Sequence, residues 1–221
     1  TPKWDAAEIM ETRDPSARQV CTIDWAGSVA SKTTSLGSHT NFVDFDEGNA
    51  SALAEEMYPE GYVLPADFVL KFINWFRGSD EWNEAPTSYR YAFPDIYHGG
   101  VTEVGPPIAS YPSETYASFK ANNRNRDKVL YLQSNAGLLH AINLNDAAGE
   151  EPGGEKWAFI PPNVLARGRL LGLKAYYSND GTVDLLDETP SVPRYLLDGP
   201  LVAEDVVMSE GWRTVLLGCL G

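Results

Sequence analysis

Hydrophobic and polar positions follow their most regular pattern between residues 128 and 162. Val129–Gln133 and Leu138–Asn143 predict two antiparallel strands, because a tight turn that carries Asn and Gly separates them. After a loop rich in Asn, Asp and Gly, Lys156–Ile160 predicts a third strand, which ends at Pro161. Three short antiparallel strands of this kind make up most of a propeller blade.

A second set of predicted strands lies nearer the C-terminal end. The turn Asn179-Asp180-Gly181 predicts a hairpin between Lys174–Tyr177 and Val183–Leu186. Three further strands are predicted at Tyr195–Leu197, Leu201–Met208 and Trp212–Gly218. The segment that starts at Val215 (VLLG) is similar to the one that starts at Val129 (VLYL), and this internal repeat has the scale of propeller blades, which recur at about 40–45 residues.

Helical periodicity is confined to the first third of the chain. Pro65–Arg77 places Phe68, Phe72, Trp75 and Phe76 on one face, which predicts a helix that packs against the core, although such a stripe also suits a binding surface. Shorter helices are predicted at Trp4–Thr12 and Asn49–Met57, and a short strand at Gln19–Ile23.

These elements predict a mainly β fold: an incomplete β-propeller of about two to three blades, preceded by a short segment of helices and loops. We expect a lead-in segment over residues 1–85 and a partial propeller, not closed within this sequence, over residues 86–221.

Composition narrows the function classes. The chain has 221 residues and a formal net charge of −14, so it repels phosphate backbones and nucleic acid is excluded as an expected partner. No apolar run approaches the roughly 20 residues that span a bilayer, so no membrane span is predicted.

The residues that usually carry catalysis are few and scattered. The three histidines are His39, His98 and His140, and His140 alternates with apolar residues inside a strand, which indicates a structural role. His98 lies near Asp95, but no third group nearby completes a nucleophilic arrangement, so we expect a hydrogen bond that holds an extended segment. No catalytic or cofactor-binding residue is therefore predicted.

Metal binding and disulfide formation each have weak candidates. Asp44 and Asp46 offer carboxylates at alternate positions but lack the spacing of an EF-hand calcium loop. Residues 178–184, which include Asp180 and Asp184, resemble half a calcium loop, but Asn179-Asp180-Gly181 also predicts a hairpin turn, and we favour the hairpin. Cys21 and Cys219 lie in unrelated contexts. We expect two small buried side chains, with a disulfide between them as the alternative.

Several motifs carry a resemblance to known families. Lys128–Trp157 resembles the blade repeat of quinoprotein-like propellers. Trp157–Leu173, Arg194–Met208 and Trp212–Gly221 resemble the propeller domain of the PilY family of type IV pilus proteins, called PilC in some species. FPDIYHG at Phe93–Gly99 resembles the segment that precedes the first blade of that domain, and INWFRG at Ile73–Gly78 resembles the helix end before it. The resemblance covers residues 65–221 well and the earlier part loosely.

Within these motifs, the residues that we expect to be structural are Asp95, His98, Asn135, Gly137, His140, Trp157, Pro161, Asp198, Gly199, Trp212 and Gly218.

The resemblance implies a non-enzymatic extracellular protein at the pilus tip or the outer cell surface. It implies minor pilins or a pilus tip complex as partners, and adhesion to a host or abiotic surface. It also implies a calcium loop in the full-length parent, downstream of the matched region, and no cofactor in this segment. The alternative is a fragment of a propeller oxidoreductase that binds pyrroloquinoline quinone.

Overall fold

The computed structural model describes residues 3–24, 42–57, 66–79, 93–146, 151–165 and 195–220. The described strands form a six-stranded mixed sheet in the order β2–β1–β6–β5–β4–β3 and a separate hairpin, β7–β8. Their bounds are β1 Val20–Ile23, β2 Phe42–Asp44, β3 Val101–Val104, β4 Val129–Gln133, β5 Leu139–Asn143, β6 Glu155–Phe159, β7 Leu201–Met208 and β8 Gly211–Gly218. The mainly β prediction is confirmed.

The sheet combines an antiparallel meander with an N-terminal addition. Strands β3 to β6 pair antiparallel with their neighbours in chain order, and Leu132 lies opposite His140 in the β4–β5 register. Strand β1 pairs parallel with β6, with Val20 opposite Ala158, and antiparallel with β2. The meander agrees with the three predicted strands, whereas the pairing of β1 with β6 brings the N-terminal segment into the same sheet.

Residues 162–165 are helical. The α-helices whose bounds both lie within the described residues are α1 Ala6–Glu11, α2 Ala50–Met57, α3 Ala66–Arg77 and α4 Glu114–Asn122. The first three confirm the predicted helices. Asp5 caps α1 by accepting hydrogen bonds from the backbone N–H groups of Ala7 and Glu8. The short 3-10 helix Glu47–Asn49 before α2 is capped by Asp46, whose side chain accepts a hydrogen bond from the Asn49 backbone N–H.

The main core lies where α2 and α3 pack with β1, β2 and β6. Phe68, Phe72 and Phe76 of α3 are fully buried, so the aromatic face predicted from the sequence belongs to the core, with Trp75 partly buried at its edge. At the end of α3, the Arg77 guanidinium donates to the carbonyl oxygens of Phe45 and Arg18 at 3.0 and 2.7 Å. These bonds fix the helix end to the N-terminal segment.

The β7–β8 hairpin is attached through α4 and β3. Tyr116 of α4 donates its hydroxyl to Asp205 Oδ2 at 2.7 Å, and Arg126 donates to Thr214 Oγ1 at 2.7 Å. Thr102 Oγ1 donates to the Leu201 carbonyl oxygen at 2.8 Å. Side-chain hydrogen bonds thus connect the hairpin to the six-stranded sheet.

The described residues lack one predicted strand and contain a helix that was not predicted. Tyr195–Leu197 is not a strand: the backbone bends here, and Leu196 N donates to the Asn135 carbonyl oxygen in the turn between β4 and β5. Helix α4 lies in a region for which no helix was predicted. The hairpin predicted around Asn179 lies outside the described residues.

The described strands do not form a closed barrel or propeller, so the expected number of blades stays a prediction. No helix among the described residues has the length and apolar character needed to cross a membrane.

Candidate functional site

The parallel pairing of β1 with β6 places two opposite charges side by side in the interior. Arg18 precedes β1, and Glu155 is the first residue of β6. The guanidinium contacts both carboxylate oxygens, with Nε 2.8 Å from Oε2 and Nη2 2.9 Å from Oε1. Both side chains are completely buried, and Arg18 Nη1 also donates to the Phe76 carbonyl oxygen at 3.0 Å. The pair is therefore bidentate and shielded from water.

His140 extends this pair into a network. Its Nδ1 lies 2.7 Å from Glu155 Oε1, and its Nε2 lies 2.9 Å from Ser134 Oγ. The hydroxyl, imidazole and carboxylate lie in a row, and the hydrogen-bond distances between them are those of a hydrolase triad. However, Ser134 and His140 are fully buried, and Ser134 Oγ also bonds to the Leu138 carbonyl oxygen at 3.3 Å. A nucleophile must be reached by its substrate, so this geometry fits a structural network.

The charge state of Glu155 follows from its partners. Burial alone would raise the pKa of this carboxyl, but the Arg18 charge and the hydrogen bonds from His140 and Arg18 outweigh it and hold the pKa well below its usual range. Glu155 is therefore ionised in the folded protein. The resulting buried anion depends on Arg18 for compensation.

Several of the predicted motif residues meet at one place on the surface, which we call the junction. It comprises the described segments 93–100, 133–137, 195–200 and 217–220. Asn135 N donates to the Asp95 carbonyl oxygen at 2.8 Å, and Leu196 N donates to the Asn135 carbonyl oxygen at 3.1 Å. His98 Nδ1 lies 2.8 Å from Asp198 Oδ2. The expected hydrogen bond of His98 thus goes to Asp198, whereas Asp95 contributes its backbone.

Glycines allow the junction segments to approach each other. A Cβ on Gly199 would lie 2.3 Å from the Cys219 carbonyl oxygen, and one on Gly218 would lie 2.9 Å from Gln133 Nε2. Gly137 has a φ of 89°, and its Cβ would lie 2.4 Å from Val164 Cγ1. A larger side chain at these positions would force the segments apart.

The other motif residues lie in separate contacts. The Trp157 ring packs on Tyr131 with centroids 5.7 Å apart, and the Pro161 carbonyl oxygen accepts a hydrogen bond from Val164 N. Trp212 stacks on Tyr111 and donates its Nε1–H to Thr115 Oγ1 at 3.0 Å. These contacts stabilise the sheet and the hairpin.

Of the metal candidates, Asp44 and Asp46 lie among the described residues and belong to no cluster of potential ligands there. Asp46 Oδ1 accepts hydrogen bonds from Asn49, and the Asp44 carbonyl oxygen accepts another from the same side chain. The described residues contain no group of three or more His, Cys, Asp or Glu side chains that could hold a metal ion. Asp180 and Asp184, like His39, lie outside the described residues.

The two cysteines are free and differ in environment. Cys21 is buried in β1, as expected, and burial together with the nearby Asp44 charge raises the pKa of its thiol to about 12. Cys219 is exposed, which contradicts the expectation that both are buried.

The sequence did not indicate the partners that complete these two sites. Arg18, Ser134 and Glu155 form the buried network around His140, and Tyr97 and Tyr195 stack beside His98. The available signal was a Glu at the start of a Trp-bearing strand, but its partner Arg18 is 137 residues away in the sequence.

Comparisons with known proteins give two relatives. Type IV pilus biogenesis factor PilY1 of Pseudomonas aeruginosa (strain UCBPP-PA14) is 25% identical over 231 aligned residues, which cover 100% of this chain and 17% of that protein. The PilY1 homolog of Xylella fastidiosa (strain Temecula1 / ATCC 700964) is 31% identical over 110 residues, 49% of this chain and 7% of that protein.

The chain thus spans less than a fifth of the length of these curated relatives. No protein-family model and no solved structure matches it. The two relatives confirm the resemblance to the PilY family of type IV pilus proteins that the sequence motifs predicted.

Proposed function

We propose that this chain acts in type IV pilus biogenesis as a non-enzymatic extracellular protein. The observation that carries the proposal is the similarity to a type IV pilus biogenesis factor along the whole chain. Minor pilins or a pilus tip complex are its proposed partners, and adhesion to a surface is a proposed consequence of that location. Calcium binding is proposed only for a longer parent protein, because Asp44 and Asp46 do not form a ligand set.

The sheet supports a propeller as the finer fold. Strands β3, β4, β5 and β6 form a four-stranded antiparallel meander in chain order, which is the topology of one propeller blade. The β7–β8 hairpin follows the meander and is the proposed start of the next blade. The parallel addition of β1 at the β6 edge is a departure from a plain four-stranded blade.

The buried network supports a non-enzymatic role. A hydrolase would use the Ser134 hydroxyl as its nucleophile, and this hydroxyl is sealed within the structure with a carbonyl oxygen as a second partner. The Glu155 carboxylate is shared between His140 and Arg18, so it serves an ion pair as well as the imidazole.

A complementation experiment tests the pilus role. The gene that encodes the chain is deleted and then restored as wild type, as Arg18→Met or as Glu103→Gln. We expect deletion to remove pilin from the sheared surface fraction while total cellular pilin persists. Wild type and Glu103→Gln restore it, and Arg18→Met does not, because it leaves Glu155 buried without its partner.

Two results would overturn the proposal. Unchanged surface pilin after deletion would exclude a role in pilus biogenesis. A quinone chromophore in the purified protein, or quinone-dependent dye reduction, would support the oxidoreductase alternative.

A further inference from the structure

An exposed aromatic cluster lies at the junction, formed by Tyr97, His98 and Tyr195. The two tyrosine rings stack with centroids 4.7 Å apart and an angle of 11° between their planes. The His98 ring packs against Tyr97 at 4.1 Å. Tyr97 is nevertheless 61% exposed and Tyr195 39% exposed. Exposed aromatic side chains that contact each other are typical of recognition surfaces.

The backbone that carries this cluster is fixed on both sides. Asn135 donates from its N–H to the segment that contains Tyr97 and accepts at its carbonyl oxygen from the segment that contains Tyr195. The His98–Asp198 contact at 2.8 Å joins the same two segments through their side chains. A surface held in this way loses little conformational freedom when it binds a partner.

The charge around the cluster indicates the charge of the ligand that it can bind. Segments 93–100 and 195–200 include Asp95 and Asp198 and contain no Lys or Arg, and Arg194, which precedes Tyr195 in the sequence, lies outside the described residues. The side chain of Asp198 is still 16% exposed beside His98. The whole sequence carries a net charge of −14, and the faces of aromatic rings attract cations. This environment disfavours an anionic ligand and favours a cation.

We propose that the Tyr97–His98–Tyr195 cluster, with Asp198 at its edge, binds an arginine side chain presented by a partner protein. A guanidinium stacks on an aromatic face and pairs with a carboxylate at the same time, which a compact ammonium does less well. This interaction goes beyond the pilus role, and its test uses purified protein alone, so either proposal can fail without the other.

The test is an NMR titration of the 221-residue chain with acetyl-Gly-Arg-Arg-Gly-amide. The neutral citrulline peptide of the same length is the matched ligand control, and acetyl-Gly-Glu-Glu-Gly-amide tests the sign of the charge. We expect the arginine peptide to shift the ring signals of Tyr97, His98 and Tyr195, and to bind more weakly as salt is raised. The citrulline and glutamate peptides should bind at least about fivefold more weakly than the arginine peptide. One exposed cation–π contact accounts for up to about fivefold, and these peptides also lose the pairing with Asp198.

Variants locate the binding site. Tyr97→Leu should weaken binding about two- to fivefold, since it removes one exposed cation–π contact. Asp198→Asn should have a similar effect, whereas Asp198→Glu should retain binding because it keeps the charge. Tyr111→Leu is the matched control, since Tyr111 is 41% exposed and stacked on Trp212 outside the junction.

The inference is overturned if the citrulline peptide binds as tightly as the arginine peptide, or if the arginine peptide shifts only signals from other surfaces. Unchanged affinity of Tyr97→Leu, in a protein whose spectrum shows that it is folded, would also overturn it. A methyl glycoside is titrated in parallel, and the inference fails if this sugar, and not the arginine peptide, shifts the signals of the cluster.

Discussion

The buried ion pair between Arg18 and Glu155 allows a quantitative prediction. Replacing Arg18 by Met keeps the approximate volume and removes the charge, which leaves the buried Glu155 carboxylate with His140 as its side-chain hydrogen-bond partner and with the more distant charge of Arg77. Removing one partner of a buried pair costs about 3–5 kcal/mol, because the remaining charge stays uncompensated. We expect a loss of this size in the free energy of unfolding.

The measurement is urea denaturation followed by tryptophan fluorescence. With a denaturant slope of about 2 kcal/mol per molar urea, the expected loss lowers the midpoint by about 1.5–2.5 M. The matched control is Glu103→Gln, because Glu103 and Lys128 also form a pair at 2.9 Å but are about half exposed. An exposed pair contributes only about 0–1 kcal/mol, so the control should differ little from wild type.

Two further variants distinguish the loss of the ion pair from a general failure of the protein to fold. Arg18→Lys keeps a positive charge without the bidentate geometry and should lie between wild type and Arg18→Met. The double variant Arg18→Met/Glu155→Gln removes both charges and should be no less stable than either single variant. The reasoning is refuted if Arg18→Met costs less than about 1 kcal/mol, or if the losses of the two single variants add.

The remaining predictions concern acid, thiol chemistry and packing. Because the pKa of Glu155 is lowered in the folded protein, its ionised carboxylate stabilises the fold above the unfolded carboxyl pKa of about 4.3, and this stabilisation is lost as the pH falls below that value. Below about pH 5, the urea midpoint of wild type should therefore fall more steeply than that of Glu155→Gln. Parallel plots of midpoint against pH for the two proteins would contradict this. Ellman's reagent should label exposed Cys219 in the native protein and Cys21 only after unfolding, and Cys219→Ser should abolish the native reaction. Gly137→Ala should lower the free energy of unfolding by about 1–3 kcal/mol more than Gly211→Ala in the same denaturation assay. Both glycines have positive φ, but a Cβ on Gly211 meets no atom within 4 Å, whereas one on Gly137 would lie 2.4 Å from Val164 Cγ1. Equal losses in the two variants would exclude packing as the cause.

The elements that the sequence predicted well are those with a local signal. The aromatic residues of α3 repeat at helical spacing, and the turn residues around Gly137 separate two apolar strands. Both patterns are determined by residues within one element or one turn. Local periodicity was therefore sufficient to find α3 and the β4–β5 hairpin.

Helix α4 escaped prediction because it has little amphipathic character. Only Tyr116 of this helix is buried, and Ser113 is its N-cap. Its position depends on contacts with distant residues, since Tyr116 bonds to Asp205 and packs on Trp212. Such long-range contacts do not appear in the hydrophobic pattern of the segment itself.

The candidate sites were predicted only in part for the same reason. His98 and Asp198 were both identified as motif residues, but their contact joins residues 100 positions apart in the sequence. The buried network shares this property, because Arg18 reaches Glu155 only through the parallel pairing of β1 with β6. No sequence spacing predicts a pairing between strands this far apart.

That pairing also explains how the N-terminal segment is held. A two-residue parallel contact between β1 and β6 is short, and alone it would specify the register weakly. Shifting β1 by one residue along β6 would separate the Arg18 guanidinium from Glu155 and leave both charges buried and unpaired, at a cost of several kcal/mol. The ion pair therefore penalises the alternative registers more than it stabilises the correct one. Arg77 adds to this selection, because its bonds to Phe45 and Arg18 require the same alignment of α3 with β1 and β2.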